Sequence, residues 1–384
     1  MSRPPVYLDY HATTPVDPRV LEAMLPYFTT TFGNPASSSH AWGWKAREAV
    51  EAARRQVASL IGATAREIIF TSGASESNNF AIHGIARNAP AGRREIVTSA
   101  VEHKSVLACA AQLEGEGWRV HIVPVRDDGR IDLGALSAVV TESTALVSVM
   151  GANNEIGVIQ PLADIGRIAH EKGALLHVDA AQAVGKIPID VVAMQIDLLS
   201  LTAHKMYGPK GEGAIYIKHR TELAPLISGG GQERGLRAGT LNVPGIVGLG
   251  KACEICRQEM PAEQARMRQL RDRLLAGLTK GIPGVRVNGS LEHRLAQNLH
   301  VSFADVDGES LIVSIGDIAV SSGSACASAS ATPSHVLSAI CGGAVPSASI
   351  RFGLGRFTTE EEIDYTIERF TTVVTHLRAT APTR

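Results

Sequence analysis

The chain has 384 residues, of which 45% are hydrophobic and only 4% aromatic, and its formal net charge is −1. This charge balance excludes a basic surface that would attract nucleic acid or an anionic membrane, and no run approaches the roughly 18 apolar residues of a membrane-spanning helix. Residues 1–10 lack the pattern of a signal peptide, and the five irregularly spaced cysteines argue against a disulfide framework, so we expect a cytoplasmic protein without nucleic-acid or membrane partners.

Between about residues 64 and 218, short apolar runs alternate with helical stretches such as Leu162–Lys172. The predicted strands are Glu67–Thr71, Glu95–Thr98, Val120–Pro124, Ala145–Met150, Ala174–Asp179, Leu198–Leu201 and Gly213–Ile217. Such alternation indicates parallel strands joined by right-handed crossovers. The region therefore predicts an α/β domain built on a mainly parallel seven-stranded sheet.

After about Gly250 the pattern becomes that of a smaller α+β unit. A long helix is predicted over Ala262–Lys280, and Thr359 with Glu362 forms a capping box that opens the last helix. Further strands are predicted at Gly284–Asn288, Asn298–Ala304, Ile318–Ser321 and Ser349–Arg351, and helices at Glu309–Ile315 and Glu360–Thr375. The short strand Val6–Leu8 can join this unit. We expect a large domain at 16–258 and a small domain formed by 1–15 and 259–384.

A lysine follows one buried strand directly. The segment from Leu198 runs through Thr202 and His204 to Lys205 and a Gly/Pro loop. Open α/β sheets bind ligands at the carboxyl ends of their strands, and desolvation there favours the neutral amine that forms an imine. Thr202 and His204 offer polar partners for an anion such as a phosphate. Taken alone, the pattern fits a surface lysine equally well.

An aspartate ends a second buried strand. Asp179 closes the apolar run from Leu175, and Gln182 follows in the next turn. An isolated carboxylate at that depth needs a cationic partner, and a protonated pyridine nitrogen is one. Gln182 can donate to the phenolic oxygen of the same ring. Asp179 alone is also compatible with a turn cap, but with Lys205 it predicts an enzyme that holds pyridoxal 5′-phosphate on Lys205 as a Schiff base.

Three further segments complete a pocket for that cofactor. The turn and helix start within Thr71–Asn78 can cradle a phosphate with N–H groups and hydroxyls, although such turns also cap ordinary helices. His103 stands at another strand end, where its ring can stack on a pyridine, although a lone histidine there is more often structural. The segment 151–157 brings amide side chains that can bind a carboxylate or the ring oxygen.

A cysteine and an arginine supply further chemistry. Cys326 lies among small residues within 321–330, with no bulky neighbour to bury it, whereas free cysteines are usually buried. The segment predicts an exposed, mobile thiol, and the thiolate is the reactive form. Arg351 lies on a predicted strand and can clamp a carboxylate with a bidentate fork. The glycine- and arginine-rich loop 228–240 can reach a phosphate or simply be mobile.

These residues resemble the cysteine desulfurases, in the iron–sulfur-cluster-assembly branch of the class V aminotransferases of pyridoxal-phosphate fold type I. The resemblance extends from Tyr7-Leu8-Asp9 through Gly33-Asn34-Pro35 to residues 356–362. Its most diagnostic part is the Ser-Ser-Gly-Ser-Ala-Cys motif ending at Cys326, which plain aminotransferases lack. It implies conversion of L-cysteine to L-alanine, a persulfide on Cys326, a homodimer, and a sulfur-acceptor protein such as a cluster scaffold.

The resemblance also implies a role for each candidate residue. Lys205 matches the Schiff-base lysine, Cys326 the sulfur-accepting nucleophile, and His103 the histidine that stacks on the ring and handles protons. The other matches bind cofactor or substrate: Asp179 at the ring nitrogen, Gln182 at the ring oxygen, Ser75, Thr202 and His204 at the phosphate, Thr240 at the phosphate of the other subunit, Asn154 at cofactor and substrate, and Arg351 at the substrate carboxylate.

Three positions depart from the family pattern. Ser75 stands where threonine is usual and Thr202 where serine is usual, and both substitutions keep a hydroxyl. His11 stands before Ala12-Thr13-Thr14-Pro15, where a smaller or neutral residue is expected. Some family members have a longer tail after the last helix, and that tail docks a cluster scaffold. In the present sequence fewer residues follow the last predicted helix.

Parts of the sequence are also compatible with other functions. Selenocysteine lysis or transamination on the same fold would use Arg351 and Asn154 equally, and only the Cys326 segment discriminates. A phosphate-binding protein is suggested by the P-loop spacing of Gly245–Lys251, but Ala252 follows where Ser or Thr should bind magnesium, and the segment has a helical pattern. Cys253 and Cys256 lack a second pair for zinc, so no metal site is predicted.

Overall fold

The computed structural model describes residues 5–322, 334–342 and 345–380. The predicted nucleophile Cys326 lies outside these residues. Within the described ranges, none of the helices combines the length and the apolar character needed to cross a membrane.

The strands of the described residues form three sheets. They are β1 (Val6–Tyr7), β2 (Ile68–Thr71), β3 (Glu95–Ser99), β4 (Arg119–Val123), β5 (Thr144–Met150), β6 (Leu175–Asp179), β7 (Leu198–Thr202), β8 (Gly213–Ile217), β9 (Val285–Val287), β10 (Asn298–Phe303), β11 (Ile318–Ala319), β12 (Ser321–Ser322) and β13 (Ala348–Gly353). The largest sheet has the order β2-β8-β7-β6-β5-β3-β4. Only β8 runs antiparallel to its neighbours, so the predicted mainly parallel seven-stranded sheet is confirmed.

Helices cover this sheet and the smaller ones. They are α1 (Pro18–Met24), α2 (Pro26–Thr29), α3 (Ala41–Ile61), α4 (Ala74–Asn88), α5 (Lys104–Gly115), α6 (Leu133–Val139), α7 (Leu162–Glu171), α8 (Val243–Gly281), α9 (Gly308–Ser314), α10 (His335–Ile340) and α11 (Glu360–Thr380), with 3₁₀ turns at Ala65–Glu67, Ala203–Lys205 and Gln232–Gly235. In α3 the buried side chains Ala46, Val50, Val57 and Ile61 recur at helical spacing. Gly62, with φ +72°, ends the helix in the left-handed conformation that favours glycine.

Helix α8 is much longer than the predicted Ala262–Lys280. It begins after Asn242, whose side chain accepts from the Gly245 N–H, and it continues through Pro261. A Cβ at Gly250 would lie 2.6 Å from the Ala53 Cα, so this glycine lets α3 and α8 approach closely. The capping box of α11 is confirmed, because Thr359 N–H donates to Glu362 Oε2 at 2.9 Å and Glu362 N–H donates back to Thr359 Oγ1 at 3.2 Å.

A second hydrophobic core lies around the small sheets. Strands β12, β13, β10 and β9 form a four-stranded antiparallel sheet in that order, and β1 pairs in parallel with β11. Phe303, Phe352 and Phe370 pack together in this core. Val6 belongs to it, whereas Val20 belongs to the core of the large sheet. This division supports our proposal of two domains, with α8 passing from one core to the other across the predicted boundary at 258.

Candidate active site

A cavity of about 650 Å³ lies where the carboxyl ends of the large sheet's strands face the small sheet. Nine of the eleven predicted site residues line it: Ser75, His103, Asn154, Asp179, Gln182, Thr202, His204, Lys205 and Arg351. Thr240 is exposed and does not line it, and Cys326 is not among the described residues. Residues from strand ends 100 positions apart thus meet because parallel strands end at one edge of the sheet.

Asp179 ends β6 and is 5% exposed. Its Oδ1 accepts from the Ala181 N–H at 3.0 Å, and its Oδ2 accepts from Asn78 Nδ2 at 2.8 Å. Both donors are neutral, and no cationic side chain of the described residues lies within 4.0 Å of the carboxylate. A buried carboxylate without a positive partner is costly, so the site suits a cationic group such as a pyridinium nitrogen.

Lys205 follows β7 in a 3₁₀ turn that directs it to the same edge. Its Nζ donates to the carbonyl oxygens of His11 at 2.5 Å and Ala12 at 2.7 Å. Both acceptors belong to the N-terminal segment after β1. The amine that follows a strand of the large sheet therefore contacts backbone oxygens of a segment whose strand β1 belongs to the other hydrophobic core.

The start of α4 lies on the wall of the cavity, which Gly73, Ala74 and Ser75 line. The first N–H groups of a helix lack intrahelical partners and point at ligands. Gly73 caps the helix with φ +146°, which side chains rarely permit. Ser75, Thr202 and His204 stand around this terminus on the cavity wall, and burial with nearby Lys205 lowers the pKa of His204 to about 4. The arrangement fits a phosphate bound by neutral donors.

His103 caps α5 and lines the cavity beside Asp179. Its Nδ1 accepts from the Ser105 N–H at 3.1 Å and lies 2.8 Å from Ser105 Oγ. Because Nδ1 accepts a backbone hydrogen, the neutral ring carries its proton on Nε2. Desolvation lowers the pKa of His103, and the Asp179 charge opposes this shift. A neutral imidazole suits stacking and proton exchange at Nε2.

Arg351 reaches the cavity from β13 of the small sheet. Its Nη2 donates to Asp9 Oδ1 at 2.8 Å and to Ser321 Oγ at 3.0 Å, and its Nη1 donates to the Asn154 carbonyl at 2.8 Å. Arg351 Nε has no hydrogen-bond partner among the described residues. The side chain is 6% exposed. A guanidinium so placed can bind a carboxylate that enters the cavity.

Two carboxyl groups near the cavity resist ionisation. Burial raises the pKa of Glu102 to about 8, although Ser99 Oγ at 2.5 Å and Met150 N–H at 2.9 Å both donate to its Oε1. Burial also raises the pKa of Glu155, whose Oε2 accepts from Ser334 Oγ at 2.5 Å. A raised pKa favours the neutral form of Glu102, which limits the negative charge around Asp179.

Sequence reasoning missed several residues of this site. Asn78 links Asp179 to Ser105 Oγ, and its only sequence signal is an amide at a buried helical position. Asp9 pairs with Arg351 across 342 residues, and Lys186 contacts Gln182, but neither shows a local signal. Among the described residues, no group of three or more His, Cys, Asp or Glu side chains could hold a metal ion.

The residues present fit pyridoxal phosphate. Asp179 is buried, and within the described part of the chain its carboxylate has no cationic partner, which suits the ring nitrogen. The α4 terminus suits the phosphate, and the Lys205 amine lies on the same cavity. All three groups come from one edge of the large sheet.

Comparison with known proteins finds similar chains over nearly the whole length. The aminotransferase class-V family model matches residues 6–366. A cysteine desulfurase IscS of Anaeromyxobacter sp. (strain K) is 57% identical over 98% of this chain and 94% of its own length. A human cysteine desulfurase is 53% identical over 98% of this chain and 83% of its own. The solved structure of a NifS-like protein superposes with a TM-score of 0.91 at 40% identity, covering 97% of this chain and all of that one.

Proposed function

Since the chain belongs to the aminotransferase class-V family and is a pyridoxal-phosphate-dependent cysteine desulfurase, we propose that the cavity described above is its active site and that Cys326 receives the sulfur. The observation that carries this proposal is the meeting of Lys205, Asp179 and Arg351 at one cavity. A Schiff-base amine, a ring-nitrogen partner and a carboxylate clamp are the three groups that an amino-acid substrate on this cofactor needs.

Each cofactor contact has a residue to make it. When bound, the cofactor's ring withdraws electrons from the substrate Cα. Lys205 would hold it through the amine, Asp179 would pair with the ring nitrogen, and Gln182 would donate to the ring oxygen. The α4 terminus with Ser75, Thr202 and His204 would bind the phosphate, and Asn154 and His103 would contact the ring. Thr240, which is exposed, reaches the phosphate of a second subunit.

The chain's own groups then carry the reaction. Arg351 binds the L-cysteine carboxylate, with Asn154 beside it. The released Lys205 amine takes the Cα proton at Nζ, and His103 exchanges a proton at Nε2. The Cys326 thiolate attacks the substrate sulfur, so an S–S bond forms while the C–S bond breaks. The electron pair of the broken C–S bond stays on Cβ, which takes a proton, and Lys205 Nζ returns its proton to Cα, so alanine leaves. Cys326 keeps a persulfide for an acceptor such as a cluster scaffold.

A homodimer in the cytoplasm is part of the proposal. Five large apolar side chains near the N-terminus are about half exposed or more: Leu25, Phe28, Phe32, Trp42 and Trp44. A surface of this kind supports burial against a second copy. The four described cysteines are free thiols, as is usual for proteins in reducing compartments.

The test compares the purified protein with Cys326→Ala and with Cys341→Ala as the matched control. Wild type and Cys341→Ala are expected to show a visible cofactor band that changes with L-cysteine, and to release alanine and sulfide equally in the presence of a reductant. Cys326→Ala should keep the band and lose sulfide release. Keto acid in place of alanine would indicate transamination, and alanine with protein-bound sulfur from Cys326→Ala would contradict the proposed nucleophile.

A further inference from the structure

Gln182 is held by three hydrogen bonds that determine which way its amide points. Its Oε1 accepts from Lys186 Nζ at 2.8 Å and lies 3.0 Å from His11 Nδ1. Its Nε2 donates to the His11 carbonyl at 3.0 Å. The two lone pairs of Oε1 are therefore both used, and only an N–H of Nε2 remains for the cavity. Gln182 can act on a ligand only as a donor.

The His11 ring is fixed in a single tautomer by its neighbours. Because Gln182 Oε1 can only accept, His11 Nδ1 carries the proton, and Nε2 is the acceptor for Asn298 Nδ2 at 3.3 Å. Asn298 is itself held, since its Oδ1 accepts from Arg294 at 3.0 Å. The ring is 1% exposed. Burial, Lys186 and Arg351 keep the pKa of His11 well below its usual value, so the neutral donor persists.

Lys186 is a lysine that the proposed reaction does not use. It lies in the connection between β6 and β7 and lines a second, small cavity that Lys205 also lines. No carboxylate of the described residues lies within 4.0 Å of its Nζ, and burial together with the Lys205 charge lowers its pKa to about 7. The charged or titratable groups that face it are Lys205, Arg351, Cys256, Glu263 and His11. Its only described side-chain partner is Gln182.

We infer that Lys186 and His11 are positioning residues that orient and polarise Gln182 as the donor to the cofactor's ring oxygen. The inference rests on the proposed function, because it needs the cofactor on Lys205. Donors at an amide oxygen strengthen donation by the amide nitrogen, since hydrogen bonds in a chain polarise one another. A stronger donor stabilises the anionic ring oxygen and thereby favours the unprotonated Schiff base.

The test is the pH titration of the visible cofactor band of the holoenzyme without substrate. Lys186→Met is expected to move the midpoint of this titration to higher pH, because the affinity of the Schiff base for a proton should rise at least about threefold. His11→Ala, which keeps the backbone carbonyl that contacts Lys205, should shift it in the same direction by less. Lys186→Arg should restore the wild-type midpoint, and Lys172→Met, at an exposed lysine, is the matched control.

A double-mutant cycle shows whether the effect passes through the amide. In a Gln182→Ala background, Lys186→Met should shift the midpoint less than it does in wild type. Equal midpoints in wild type, Lys186→Met and His11→Ala would overturn the inference while leaving the proposed function intact. If Lys186→Met fails to fold, His11→Ala decides by the same criterion. A wild-type protein with no Schiff-base band would refute the proposed function, and the inference with it.

Discussion

The two sides of the cavity are built differently. On the side of the large sheet, Asp179 accepts from two neutral N–H donors, and Lys205 donates to two backbone carbonyls. On the side of the small sheet, Arg351 is held by the carboxylate of Asp9. Neutral partners leave the charge of Asp179 available to a ligand. In contrast, a ligand carboxylate that binds Arg351 must share this side chain with Asp9 or displace Asp9 from it. A permanent cofactor suits the first arrangement, and a substrate that comes and goes suits the second.

The largest effect is expected on the cofactor side. Lys205→Ala removes both the Schiff-base amine and the proposed base, so the visible band should disappear and the rate of alanine release should fall at least about a thousandfold. Lys172→Ala, at an exposed lysine, should leave both unchanged. A variant that keeps the band and most of its activity would show that the amine of Lys205 is not the one that holds the cofactor.

A smaller effect, in KM, is expected on the substrate side. Arg351→Lys keeps the charge but loses the planar fork, and a charge-assisted hydrogen bond contributes about 1.5–3 kcal/mol. The KM for L-cysteine should rise roughly tenfold to hundredfold, with the visible band unchanged. Arg286→Lys, at an exposed position of β9, is the control. If Arg351→Lys loses the visible cofactor band, the small-sheet side also serves cofactor binding, and the division into a cofactor side and a substrate side is wrong.

The smallest effect is expected at Glu102, in the way that the stability of the folded protein depends on pH. Glu102 has a folded pKa of about 8 against an ordinary value of 4.5, so folding takes up a proton between these pH values. Its stabilisation is complete below pH 4.5 and is lost as the pH rises through about 8, at about 1.4 kcal/mol per pH unit. Glu102→Gln mimics the neutral acid, so its melting temperature should increasingly exceed that of wild type between pH 6 and 8, by ~2–4 °C. Glu142→Gln, at an exposed position, is the control, and the difference between its melting temperature and that of wild type should be the same at every pH.

Local sequence pattern was sufficient for the large sheet and for the residues at its strand ends. Asp179 ends one short apolar run of this sheet and Lys205 comes soon after another, so both were predicted from their own segments. The direction of β8 was not predictable in the same way, because an antiparallel strand buried on both faces has the same apolar pattern as a parallel one.

Residues whose partners lie far along the chain were missed. Nothing near Asp9 or Lys186 indicates that Arg351 and Gln182 will pack against them, because those contacts form only when the two cores meet. The full length of α8 was missed because Pro261 separates the helical pattern of Gly245–Lys251 from the predicted helix Ala262–Lys280, and a proline inside a helical pattern usually marks a boundary. In the structure, Gly248 and Gly250 instead allow close packing against Met24 and Ala53.

The N-terminal segment has a consequence for the order of events during synthesis. Asp9 leaves the ribosome well before Arg351, which follows 342 residues later; at about 5–20 residues per second this is a wait of roughly 17–70 s. Strand β1 likewise lacks its partner until β11 has been synthesised. The backbone oxygens that receive the Lys205 amine can therefore settle only after β11 and Arg351 have been made, and we expect stable capture of the cofactor to follow their synthesis.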